Sequence, residues 1–168
     1  NTLIAGCQNT VIPNTVTSSG DNAFATLYFL VSTEILSGVT SIGGYAFYVC
    51  SSLTSIEIPS SVTSIGDFAF AECSSLISIE IPSGVTSIGT NSFAFCPSLT
   101  SIVVESGNTV YDSRNDCNAI IETATHTLIA GCQNTVIPNT VTSIGGYAFS
   151  VCSSLTSIEI PSSVTSIG

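Results

Sequence analysis

The amino-acid sequence predicts a mainly-β repeat solenoid with short helical or 3-10 turns and an inserted β-hairpin, and three observations predict it. The string Val-Thr-Ser-Ile-Gly begins at Val39, Val62, Val85, Val141 and Val164; the first three copies lie 23 residues apart, as do the last two. Each copy runs in a fixed order through two variable residues, an Ala-Phe pair, two more residues, a Cys, and a segment close to Ser-Leu-Thr-Ser-Ile-Glu-Ile-Pro-Ser-Ser. Between Val85 and Val141 lies one such coil followed by a 33-residue unit of different pattern. Self-similarity at a fixed period marks stacked units, none of which buries its apolar face alone.

The chain divides into a partial hairpin unit at 1–15, coils at 16–38, 39–61, 62–84 and 85–107, a hairpin-bearing unit at 108–140, a coil at 141–163 and a partial coil at 164–168. The coil at 62–84 serves as the example. Val62, Ile65, Ala69, Phe70, Cys73, Leu76, Ile79 and Ile81 are assigned to its interior. Phe70 and Cys73, three apart after Gly66, suit one helical or 3-10 turn. Ile79-Glu80-Ile81 alternates with period two and stops at Pro82, as a short strand does. The first coil is degenerate, opening with Val-Thr-Ser-Ser-Gly at Val16 and carrying Leu27 where other coils carry Cys; Ser92 replaces an Ala.

In the 33-residue unit, Asn118–Glu122 and Thr127–Cys132 flank a polar turn and read as a β-hairpin. The stretch Thr2–Ser18 duplicates Thr127–Ser143, so the pattern is already under way at Asn1; it is still running at Gly168.

Composition narrows the function. The net charge is −10, Arg114 is the single Lys or Arg, and the sequence pI is about 4.1. Apolar residues at 44% and a mean hydropathy of +0.57 argue against disorder. A chain without Lys does not neutralise phosphates, so no nucleic-acid partner is expected. Anionic membrane surfaces are disfavoured too, and no apolar run approaches the roughly 20 residues a spanning helix needs, so no membrane insertion is expected.

These residues resemble the BspA-like leucine-rich repeats, through the unit Val-Thr-Ser-Ile-Gly-x-x-Ala-Phe-x-x-Cys-x-Ser-Leu-Thr-Ser-Ile-x-Ile-Pro-x-Ser and the hairpin-bearing unit between runs of coils. The resemblance implies a right-handed leucine-rich-repeat coil stack with a parallel strand column and a less regular opposite wall. It implies proteins that are secreted or on the cell surface of bacteria and some protozoan parasites, with roles in adhesion and in host or matrix binding.

Candidate sites follow from columns of equivalent residues. Glu34, Glu57, Glu80 and Glu159 share the outward strand position. With neighbouring strands about 4.8 Å apart, Glu34, Glu57 and Glu80 are expected to form a carboxylate ladder. It reads first as a solvated acidic face, and second as a weak Ca²⁺ candidate or a binding surface for a basic partner. Tyr45, Phe68 and Tyr147 share a column in which other copies carry Asn22 and Asn91; it either contacts a glycan or partner or covers the coil edge. Cys50, Cys73, Cys96 and Cys152 read as interior packing. Cys117 and Cys132, opposite one another in a hairpin turning at Ala124–Thr125, are equally open to a disulfide and to two free thiols. Cys7 matches Cys132 without a partner of its own. The Thr40, Thr63, Thr86, Thr142 and Thr165 column suits inter-coil hydrogen bonding better than an ice-binding face. Asp112, Arg114 and Asp116 suggest a local ion pair.

No nucleophile–base arrangement or phosphate loop stands out. Glu57 and Glu80, equivalent by repetition, lack the unlike environments that carboxylate pairs need for glycoside chemistry. The expectation is a non-catalytic extracellular or cell-surface module for adhesion or ligand binding, with no cofactor. Its partner is a protein or glycan on an extended solenoid face. The alternative is a structural subunit or segment of an extracellular filament, formed by copies stacking end to end.

Overall fold

The computed structural model describes residues 1–3, 5, 15–150, 152, 153 and 155–168. Cys7, and most of the N-terminal duplicate of the hairpin unit, lie outside the described residues. The chain forms a mainly-β solenoid whose strands are short because each coil crosses a sheet and then turns. Thr2–Leu3, Ser18–Ser19, Ser41–Ile42, Ser64–Ile65 and Ser87–Ile88 form a five-stranded parallel column. Within it Ser18 pairs with Ser41, Ser41 with Ser64 and Ser64 with Ser87, so the ladder register equals the sequence period. A second column pairs Ser78–Ile81 with Ser101–Val104 in parallel, and Glu34 bridges Glu57.

The interior set read from the repeat is buried as expected. Val62, Ile65, Ala69, Phe70, Cys73, Leu76, Ile79 and Ile81 are all at most 2% exposed. Phe24, Phe47, Phe70 and Phe93 stack face to face, with ring centroids 5.1, 5.2 and 5.6 Å apart and planes within 6° of parallel. Each such contact contributes about 1 kcal/mol beyond burial. The offset between rings is one coil repeat.

The third wall differs from the expected helical or 3-10 turn. In the coil at 62–84, Ala69 and Ala71 donate to Gly66 and Phe68 within the coil at 3.3 and 3.1 Å. Phe68, Phe70 and Glu72 donate instead to Thr90, Ser92 and Ala94 of the next coil at 3.0, 2.8 and 3.0 Å. A 3-10 turn would keep every amide local; here alternate amides are turned outward along the stack by left-handed residues. Positive φ recurs at Asn22 and Thr26, Tyr45 and Val49, Phe68 and Glu72, and Asn91 and Phe95. Asn adopts this region more readily than most residues, which accounts for Asn22 and Asn91 in the aromatic column. Exposure alone does not.

Coils also touch at one corner. A Cβ added at Gly66 would lie 2.5 Å from the Gly44 nitrogen and 2.7 Å from the Gly43 carbonyl carbon; Gly43 meets Gly20 in the same way. The glycine that closes each Val-Thr-Ser-Ile-Gly string therefore permits backbone-to-backbone approach. Thr40, Thr63 and Thr86 hydroxyls each donate to the threonine carbonyl one coil back, at 3.1–3.3 Å. Thr165 does the same to Thr142. These hydroxyl donors serve the stack, as the inter-coil reading anticipates.

The hairpin splices two stacks. Ala119–Glu122 and Thr127–Gly131 pair antiparallel, and Thr127–Gly131 then pairs in parallel with Ser143–Ile144. Ile120 belongs to the core running from Val16 to Tyr111, while Ala119, Ile121 and Leu128 belong to a second core with Val141 and Ile144. Asn108 sits one period after Val85. Its side-chain amide donates to Pro82 and Val85, and its oxygen accepts from Val110 and Tyr111. The Tyr111 hydroxyl accepts the Ile88 N–H at 3.0 Å. Side chains thus take over where the next coil's backbone would otherwise serve.

Two substitutions test this geometry by urea unfolding. Gly66→Ala should destabilise by about 2–3 kcal/mol through overpacking, whereas Gly146→Ala, whose added Cβ meets nothing within 4 Å, should stay within about 0.5 kcal/mol. Val49→Asn, which relieves a β-branched residue at φ 58°, should stabilise by about 1 kcal/mol.

Candidate functional site

The acidic column is the first candidate, and the structure places its members unequally. Glu34 and Glu57 bridge, but Glu80 pairs with Val103, and among the described residues no ladder joins Glu57 to Glu80. The expected three-carboxylate ladder is therefore broken at its middle. A groove of about 600 Å³ opens there, lined by Glu57, Pro59, Ser78, Glu80, Pro82 and Glu105. All three glutamates are exposed. Glu105 is an acidic member that the repeat did not single out, because it replaces the Pro of Ile-Glu-Ile-Pro. Its carboxylate accepts the Ser83 N–H at 2.7 Å, and that bond holds it below the usual carboxylate range. Opening the ladder relieves like-charge repulsion between Glu57 and Glu80 and leaves an electronegative slot. Among the described residues no group of three His, Cys, Asp or Glu converges to hold a metal, so Glu34, Glu57 and Glu80 do not form a Ca²⁺ cage. Glu159 lies apart, exposed beside a further groove of about 470 Å³ with Val136 and Pro161.

The aromatic column divides as well. Tyr45 and Phe68 stack at 5.0 Å, and Tyr45 meets Tyr48 edge-on at 5.4 Å. The Tyr48 hydroxyl donates to Glu72 at 2.8 Å, and this bond raises the phenol above its ordinary value. Tyr147, 64% exposed, is separated from them by the coil of Asn91 and the hairpin unit.

The cysteines pack. Cys50, Cys73 and Cys96 thiols donate to the Phe24, Phe47 and Phe70 carbonyls one coil back, at 3.1, 3.2 and 3.2 Å. Burial pushes Cys50 up to about 11 and Cys96 up to about 12, and raises Cys73 strongly as well. The Cys117–Cys132 pairing is not formed. The register shifts between Leu128 and Ala130, so Gly131 faces Ala119 and the two cysteines are no longer opposite. Cys132 joins the first core and donates to the Asn118 carbonyl at 3.3 Å, while Cys117 joins the second. Both thiols are free and buried.

Arg114 grips Asp112 through Nε–Oδ1 at 2.7 Å and Nη2–Oδ2 at 2.5 Å, and also reaches Thr140. Burial opposes ionisation of Asp112, but these bonds outweigh it and lower its pKa. Asp116 takes no part in the ion pair; it lies in the 3-10 turn Arg114–Asp116. The one Arg in the chain is therefore spent on holding the hairpin unit.

A second cavity, of about 240 Å³, lies where the third wall is interrupted. The 33-residue unit supplies a hairpin in place of a wall segment, so the wall of residues 90–96 faces that of residues 145–150 across a cleft. The only sequence signal for it is the loss of the Ala-Phe-x-x-Cys motif between Phe93 and Phe149.

The comparisons bear on this architecture. The family described as BspA type Leucine rich repeat region matches residues 5–118 and 120–168 in six copies. No curated protein matches the sequence. The pneumococcal vaccine antigen PcpA is 25% identical with a TM-score of 0.81, over 91% of this chain and 39% of that one. A leucine-rich repeat protein of Eubacterium ventriosum is 25% identical with a TM-score of 0.68, over 91% and 50%. A leucine-rich cell surface protein of Faecalibacterium prausnitzii is 28% identical with a TM-score of 0.58, over 94% and 55%. The chain thus spans only about half or less of the length of the first two.

The thiol column predicts an alkaline limit to stability. A thiol that titrates near 9.0 when unfolded and near 11 when folded favours the folded state while neutral. This contribution is complete below pH 9 and is lost as pH rises through 11. Urea midpoints should fall over that window, and Cys50→Ala with Cys73→Ala should flatten the fall while lowering stability at pH 7.

Proposed function

The chain belongs to the BspA-type leucine-rich repeat family, and from that premise we propose that it is a non-catalytic, extracellular or cell-surface binding module that engages a basic partner through its acidic strand face. The observation that carries this reading is the groove of Glu57, Glu80 and Glu105, in a chain of net charge −10 whose single Arg is already paired. An electronegative slot on an extended face steers and orients cationic side chains. Two relatives support the location: one is a vaccine antigen and one a cell surface protein. Among the described residues no helix is long and apolar enough to cross a membrane.

End-to-end stacking into a filament is the second reading. It rests on the inter-coil bonds that join each coil to the next within the chain. Sedimentation velocity across a concentration series separates the readings: a single species that does not grow with concentration counts against stacking.

Binding of a lysine-rich peptide, followed by titration calorimetry, tests the first reading. Glu57→Gln combined with Glu80→Gln should weaken binding by about tenfold, or about 1.4 kcal/mol. Wild-type binding should collapse near 1 M salt, where the screening length is about 3 Å. Affinity unchanged by either treatment would rule out the acidic groove.

A further inference from the structure

We propose that the wall cleft between residues 90–96 and 145–150 binds the acetamido group of an N-acetylhexosamine. This site is separate from the acidic groove and does not rest on the basic-partner reading.

Two backbone amides on this wall lose the acceptors that their equivalents have. In each earlier coil the equivalents of Asn91 and Phe93 donate along the stack: Tyr45 and Phe47 to Asp67 and Ala69, Phe68 and Phe70 to Thr90 and Ser92. After the coil at 85–107 comes the hairpin, which has no third wall. Among the described residues the Asn91 and Phe93 N–H groups have no hydrogen-bond acceptor; Phe95 alone reaches across the gap, to the Ser150 carbonyl at 3.3 Å. On the far side Gly131 takes the Ala148 carbonyl at 2.8 Å, and the Gly146 carbonyl has no donor among the described residues. The cleft therefore presents two backbone donors on one wall and a backbone acceptor on the other.

The described lining residues are all uncharged, and the field of a chain with net charge −10 disfavours an anion on the two amides. A cation finds no carboxylate there. What remains is a neutral group that accepts and donates at once, which is what a secondary amide does: its carbonyl faces Asn91 and Phe93, and its N–H faces the Gly146 carbonyl. Buried amides left unpaired reject a ligand lacking such a group. Two features favour a sugar over a peptide as its carrier. The space, about 240 Å³, is short and closed by the hairpin strand at Ile129 and Gly131. At its lip stands Tyr147, 64% exposed, an amphipathic ring suited to the apolar face of a pyranose.

Protein-observed NMR titration with N-acetylglucosamine, glucose and N-acetylalanine amide tests the proposal. N-acetylglucosamine should move the Asn91 and Phe93 amide signals most, with glucose at least about tenfold weaker. Gly146→Leu places a side chain where a Cβ meets nothing within 4 Å, and it should abolish binding with an unchanged thermal midpoint. Tyr147→Asn installs the residue found at the equivalent left-handed positions Asn22 and Asn91; it should fold and bind N-acetylglucosamine several-fold more weakly. Three results would overturn the assignment: equal response to glucose, binding unaffected by both variants, or no response to N-acetylglucosamine. Tighter binding of N-acetylalanine amide would overturn the sugar in favour of a peptide.

Discussion

The contacts that hold the coils together cross from one coil to the next. Phenylalanine rings stack at 5.1–5.6 Å, thiols donate one coil back, and outward amides find their acceptors one coil ahead. Burial within a single coil falls short of the entropy of ordering it. The inter-coil distance is therefore the constraint on which the rest depends, and the glycine corner sets its lower limit. Gly43, Gly66 and Gly89 each approach the preceding coil so closely that a methyl group would overlap backbone. Side chains elsewhere are chosen to suit a spacing that those corners permit.

Much of this was legible in the sequence because repetition makes each position report its environment several times. The interior set of the coil at 62–84, the aligned phenylalanines, the packing role of Cys50, Cys73 and Cys96, and the hairpin at 119–131 all follow from period and polarity. What escaped is conformation and register. The segment after Gly66 has the spacing of a helical turn, but spacing does not reveal φ. The readable clue was chemical: Asn22 and Asn91 alternating with Tyr45 and Phe68 marks a left-handed position. Likewise Cys117 and Cys132 are opposite in a regular hairpin, and a shift of one residue beyond Leu128 sends them into separate cores. A bulge leaves little trace in a short strand, so the pairing was not decidable from sequence.

The acidic face illustrates the same limit from the side of electrostatics. Equal residues at equal spacing imply an unbroken ladder, yet only Glu34 and Glu57 remain bridged. Glu80 instead lies opposite Val103, a neutral neighbour. The candidate groove depends on this inequality, and Glu105 enters it by departing from the repeat consensus.

Both candidate sites therefore sit where the repeat fails. In a perfect array every coil sees the same neighbours, so every outward position is either functional in all copies or in none. A distinct site needs a broken equivalence. The 33-residue unit breaks it twice: it removes a wall segment, leaving Asn91 and Phe93 amides facing open space, and it fixes the chain's one arginine against Asp112. The hairpin meanwhile joins one stack to another: Ile120 packs in the first core and Ile121 in the second, and a separate five-stranded sheet begins at Tyr111–Asp112. Opening one wall while the chain passes into a second stack is what sets this cleft apart from the equivalent positions of the other coils.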